Sequence, residues 1–99
     1  MSNVMFREKA VAETQTLVFD FASILAPGES ISSASTSAAV YSGVDGSPAA
    51  IISGGSSVSG TQVSQKVTGG VAGVVYKMTS RAVTATGNVV ELSGFLGIS

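Results

Sequence analysis

The residues best suited to acid–base chemistry in this chain are six carboxylates: Glu8, Glu13, Asp20, Glu29, Asp45 and Glu91. There is no histidine and no cysteine. Nucleophilic catalysis of the Ser–His or Cys–His kind needs an imidazole or a thiolate, so both are excluded. Asp20 alone stands out, because it interrupts an apolar run. As a functional group it would be a perturbed acid or a calcium ligand. As a structural one it points outward or accepts nearby backbone amides at a turn. A lone carboxylate has no partner for either chemistry, so the structural reading is favoured. No catalytic residue, cofactor or metal is expected.

Two glycine tracts invite a phosphate-binding reading. Residues 54–61, GGSSVSGT, have the glycine spacing of a phosphate loop, with Thr61 where lysine is required. Without that lysine nothing reaches the terminal phosphates. In residues 69–77 a lysine is present, but Lys77 falls mid-strand, four residues past Gly73. Both tracts read as turn glycines.

Charge points the same way. The cations Arg7, Lys9, Lys66, Lys77 and Arg81 are scattered and the net charge is −1. Nucleic-acid binding needs clustered positive charge, so it is not expected. Only 11% of residues are charged, against a usual ~25%. A surface of Ser, Thr, Gly and Ala suits a protein packed against copies or partners. The N-terminal stretch lacks the apolar core of a secretory signal. No apolar run approaches the ~20 residues that span a bilayer. Neither membrane insertion nor secretion is expected.

The elements that must carry any binding surface are strands. Residues 74–83 alternate: Val74, Tyr76, Met78 and Ala82 point one way, Val75, Lys77, Thr79, Arg81 and Val83 the other. A period of two marks a half-buried strand. Residues 14–21 do the same with Leu17, Phe19 and Phe21, and Ile24 and Leu25 should still touch the core. Pro27–Gly28 has the chemistry of a type II turn. Residues 29–39 alternate weakly, with Ile31 the sole large anchor, and Val40–Tyr41 begins a short separate strand. A loop follows at 42–48, a short strand at 49–53 and a flexible loop at 54–60. Val63, Gln65 and Val67 oppose Gln62, Ser64 and Lys66 in the next strand. A hairpin at 84–88 leads to the last strand, with Val90, Leu92, Leu96 and Ile98 on one face.

About seven short strands in one 99-residue chain predict an all-β fold, an antiparallel immunoglobulin-like sandwich. Residues 14–99 form the sandwich and 1–13 an N-terminal arm or edge strand; a helix through 6–13 would be barely two turns. Tyr76, near the start of the penultimate strand, fits a tyrosine corner or is simply a core aromatic. Interface candidates are Val4, Met5 and Phe6 in the arm, which either complete this sheet or add to a neighbour's. Lys77 and Arg81, four apart on one strand face, either dock an acidic partner or form an ordinary solvated face.

A wider pattern runs through the chain. It comprises Leu17-x-Phe19-Asp20-Phe21, Ile24-Leu25-x-x-Gly28-Glu29-x-Ile31 and Ile52-Ser53-Gly54-Gly55. Then come Gly70-x-x-Gly73-x-x-Tyr76-x-x-Thr79, Thr84-x-Thr86-Gly87 and an apolar final strand. Over about residues 9–98 the chain resembles the small tailed-bacteriophage proteins described as fibre–tail adaptors. The resemblance implies a non-enzymatic, immunoglobulin-like structural component of the virion, assembled in the host cytoplasm. It implies many copies at the neck or tail, joined to portal, tail or fibre subunits. Such proteins often carry a Trp in the first strand region and a basic final strand. Here Phe21 takes the aromatic position and the end, residues 94–99, is uncharged. Two other roles fit a small sandwich: a capsid decoration protein, or a glycan-binding module, for which Tyr41 is the obvious stacking residue.

Overall fold

The structure, a computed structural model, describes residues 3–99, and of residues 3–5 the backbone alone. It contains seven strands: β1 (Asn3–Met5), β2 (Thr14–Asp20), β3 (Ile31–Ser42), β4 (Ile52–Ser59), β5 (Gln62–Thr68), β6 (Val75–Thr84) and β7 (Val89–Gly97). One sheet has the order β1-β7-β6-β3 and the other β2-β5-β4. Setting β2, β5 and β4 against β3, β6 and β7 is the immunoglobulin-like arrangement. Antiparallel pairing holds among β2–β7. The exception is β1, which adds to β7 in parallel, Val4 beside Gly94.

The alternating strands bury the side chains that their period of two selects. Leu17, Phe19, Phe21, Val63, Val67, Tyr76, Met78, Ala82, Leu92 and Leu96 fill the space between the sheets. Met78 lies two residues after Tyr76, where an antibody domain carries its second disulfide cysteine. Here the thioether is fully buried, and packing replaces the cross-link. Ile24 and Leu25 pack on the core's margin. The Pro27–Gly28 turn forms as expected: Glu29 N–H donates to the Ala26 carbonyl at 2.9 Å and Gly28 has φ 78°.

Three stretches depart from the sequence reading. Residues 31–42 form one continuous strand, paired with β6 from Ile31↔Thr84 to Ser42↔Val75. Its inward positions are Ala34, Thr36, Ala38 and Val40, mostly small, so the expected weak strand at 29–39 and the separate one at Val40–Tyr41 are one strand, joined by their pairing to β6. Residues 48–51 form a 3-10 turn, Pro48–Ile51, where a strand was expected. Proline's fixed φ starts the turn, and Ala50 N–H donates to the Ser47 carbonyl. The glycine tract at 54–60, expected as a flexible loop, belongs largely to β4. Between Ser53↔Lys66 and Ser57↔Ser64 the register slips, and Gly54 takes φ 72°. Gln65, buried, repairs the slip. Its amide nitrogen donates to the Ser53, Gly54 and Lys66 carbonyls, and its oxygen accepts the Ser56 hydroxyl at 2.8 Å.

Tyr76 makes a tyrosine corner. Its hydroxyl donates to Asp45 Oδ2 at 2.6 Å and accepts the Val71 N–H, five residues upstream, at 3.0 Å. Burial raises its pKa, and the hydrogen bond to Asp45 raises it further. Lys9 was not singled out by sequence. Its side chain is fully buried, and its Nζ donates to three carbonyls: Gly69 at 2.6 Å, Ala10 at 2.8 Å and Val11 at 3.2 Å. An ammonium has three donors, and all three are used. Burial lowers its pKa, opposed by the nearby Glu13 carboxylate. The Lys9 backbone also bridges to the chain's end, donating to the Gly97 carbonyl and accepting from Ser99.

Removing either group leaves buried partners unsatisfied. Lys9→Met is expected to lower the unfolding free energy by about 2–4 kcal/mol, and Tyr76→Phe by about 1–2 kcal/mol. Urea unfolding checks both: the midpoint should fall with the slope unchanged. A Lys9→Met midpoint equal to wild type would show that the ammonium is dispensable.

Candidate interaction surface

The outward side chains of β3, β6 and β7 make one face in three rows. Ala39, Lys77 and Phe95 form one row, Ser37, Thr79 and Ser93 the next, and Ser35, Arg81 and Glu91 the third. Alternation places Lys77 and Arg81 on this common face, as expected, about 13 Å apart along the strand. Neither forms an ion pair among the described residues, where the one salt bridge joins Arg7 and Glu13. Glu91 stands directly across from Arg81. The stripe is therefore positive at Lys77 and balanced at Arg81. In the middle row the Thr79 and Ser93 hydroxyls bond each other at 3.1 Å.

Tyr41 lies at the Lys77 end. The register shift between Val40 and Ser42 re-aims this residue. Its ring reaches across β6 to Phe95, with centroids 4.6 Å apart and planes tilted by 57°. Tyr41 remains 66% exposed and the nearby Val44 86%. The sequence offers no sign that Phe95 pairs with Tyr41, because β6 lies between their strands.

The arm completes its own sheet. Phe6 N–H donates to the Phe95 carbonyl at 2.9 Å. The Phe6 ring meets Phe19 edge-on, with centroids 5.3 Å apart. Phe6, an interface candidate from sequence, is thus half-buried against this chain's own core. Val4 and Met5 lie on β1, the outermost strand of its sheet, with one flank open.

Two hollows complete the surface. One, of about 390 Å³, lies on the other sheet between Thr16, Ser53, Gly54, Gly55, Ser57, Ser64 and Lys66. It contains the tract with phosphate-loop spacing, but the tract is strand and does not open a helix, so no helix N-terminus gathers N–H groups at an anion. The second, of about 500 Å³, is bounded by Ile24, Arg81, Val89, Val90 and Glu91. Asp20 is exposed and its carboxylate accepts the Ala22 N–H at 2.9 Å, the structural role expected of it.

The end of the sandwich near the second hollow is held by Glu29. Its carboxylate accepts the Thr86 hydroxyl, the Ala26 N–H at 3.1 Å and the Asn88 amide at 3.1 Å. These bonds tie the β2–β3 loop to the β6–β7 hairpin. They hold Glu29 down to about 2, the Thr86 hydroxyl contributing most. Asp45 is likewise lowered, first by the Tyr76 hydroxyl and then by the Ser47 N–H.

Among known families, the one described as Podophage GP4 fiber-tail adaptor protein gp77 matches residues 9–96. The match takes in β2 to β6 and all of β7 but its last residue, and the chain belongs to this family. It begins at Lys9, the residue that anchors the arm. A search of curated proteins gave no significant match.

The Glu29 clasp has a pH signature. A carboxylate whose folded pKa is about 2, against an ordinary 4.5, adds stability above pH 4.5 that is lost as pH falls through 2. Asp45 acts in the same direction. The melting temperature of the wild type should therefore drop between about pH 5 and pH 2. Glu29→Gln should melt lower at neutral pH and lose less on acidification. Parallel melting curves for the two proteins across that range would exclude the clasp as a stabilising element.

Proposed function

We propose that this chain is a non-catalytic joint in a podophage particle, present in several copies where the tail meets its fibres. The observation that carries the reading is the family match across residues 9–96. The surface supports it. A rigid sandwich offers a face of small hydroxyl and methyl side chains, which two surfaces can approach closely. Tyr41 on Phe95 supplies an aromatic anchor at one end, of the type that dominates binding at protein interfaces. Lys77, unpaired beside that anchor, selects a partner surface carrying a carboxylate. Arg81, already faced by Glu91, contributes less charge and more of its planar side chain. Val4 and Met5 on the outermost strand form a second contact, outside the segment shared with the family.

Particles assembled without this protein are expected to retain their genome and to lack fibres, as seen by electron microscopy and DNA content. Ruptured or empty heads would instead make it a shell decoration protein. Copy number separates the two independently: few copies at one vertex for the tail, many spread over the capsid for decoration. Tyr41→Ala is expected to weaken incorporation about tenfold or more, as truncation of a central aromatic anchor does. Wild-type incorporation by that variant would remove this face from the interface.

A further inference from the structure

Of the strand edges among the described residues, that of β3 is the longest, and it carries neither charge nor proline. A sheet edge presents free N–H and C=O groups, which proteins normally protect with charge, proline, bulges or a covering segment. The edge at β1 is three residues long. The edge at β2 is covered: Arg7 and Gln15 exchange hydrogen bonds between their side chains and from the Gln15 amide to the Arg7 carbonyl. The edge at β4 is broken by the glycine slip between Ser53 and Ser57. β3 has bulges only at its ends, and β4, in the facing sheet, approaches it without pairing to its backbone. It runs for 12 residues, ISSASTSAAVYS, with no charge, no proline and no glycine. At ~3.4 Å per residue it extends about 40 Å, the full 41 Å length of the domain. Its register shifts are confined to its two ends, leaving the segment between regular.

The packing behind this edge is also unfinished. Ala34, Thr36, Ala38 and Val40 point between the sheets yet stay half-exposed, because no strand lies beyond β3. Val58, across the same open flank on β4, is 38% exposed. One side-chain bridge spans the seam, the 2.8 Å hydrogen bond between Thr36 and Ser56.

We propose that β3 pairs antiparallel with β3 of a second copy of this chain, about a two-fold axis near Ser37. The pairing would join the two four-stranded sheets into one of eight strands. The occupant follows from the strand itself. Centred near Ser37, self-pairing sets Ser33 opposite Tyr41, Ser35 opposite Ala39 and Thr36 opposite Ala38. All are uncharged and mostly small, of equal length by symmetry, with no like charges opposed. The net charge of −1 adds little repulsion between whole copies. Pairing would satisfy the free edge and cover Ala34, Ala38 and Val40. It is a property of the isolated chain and stands whether or not the protein sits at the tail.

The test is sedimentation of the purified chain over a range of concentrations, with hydrogen exchange on the same samples. The wild type should be a dimer, and alternate β3 amides, those facing away from β6, should exchange slowly. Ser37→Lys places one ammonium against its symmetry mate at an exposed position that the monomer fold tolerates. It should raise the dimer dissociation constant at least tenfold, free those amides, and leave the circular dichroism spectrum unchanged. Gln62→Lys adds the same charge on the opposite sheet and should leave the dimer intact. A monomeric wild type would overturn the proposal. So would a dimer indifferent to Ser37→Lys, or one broken equally by Gln62→Lys.

Discussion

One buried ammonium ties together the parts of this protein that strand pairing leaves loose. Lys9 lies where the N-terminal arm, the turn between β5 and β6 and the end of β7 converge. Its charge would be costly to bury alone, and three carbonyls at hydrogen-bonding distance offset that cost. The consequence is positional. Gly69 opens the turn that leads to Val71, and Val71 donates to Tyr76. The lysine and the tyrosine corner therefore brace the same short loop from two sides. With no cysteine available, this loop is fixed by hydrogen bonds where an antibody domain also has a disulfide nearby.

The same logic governs the interior. A chain rich in serine and threonine cannot keep them all outside, so the sandwich contains a polar thread from Thr36 through Ser56 to Gln65. Each member is satisfied, and Gln65 uses both ends of its amide. That thread is what allows β4 to carry a glycine slip without losing its place beside β5. Ser80 is the exception: its hydroxyl is buried with no hydrogen-bond partner among the described residues. It stands between Thr36 and Leu92 in register, where little volume is available for anything larger.

The legible parts of the sequence were those in which large apolar side chains alternate. β2, β5, β6 and β7 announce themselves because Leu, Phe, Val and Met mark every second residue, and the turn at Pro27–Gly28 because both residues have a conformational reason to be there. β3 was legible as a weak strand over 29–39 but was broken at Val40, where the structure continues it to Ser42. Its inward residues are largely alanine and threonine, so the periodic signal is weak although the geometry persists. Residues 54–60 misled because glycine and serine usually mean a loop; here Gln65, distant in sequence, supplies the partners that hold them as strand. Lys9 gave no signal at all. Nothing in Arg7-Glu8-Lys9 distinguishes a solvated lysine from one enclosed by carbonyls of Gly69, 60 residues away. Of the surface candidates, alternation placed Lys77 and Arg81 correctly, while the stacking of Tyr41 on Phe95 depends on a bulge and on a third strand between them.

These features divide the molecule unequally. The three-stranded sheet is closed off: the arm covers β2, and β4 ends the sheet in a bulge. The four-stranded sheet has the aromatic pair, Lys77 without an ion pair among the described residues, and the long edge of β3. A sandwich whose two sheets were equally open would associate in many ways and specify none. The two sheets thus differ in how their edges are finished, one by the arm and a glycine slip, the other by the long strand β3.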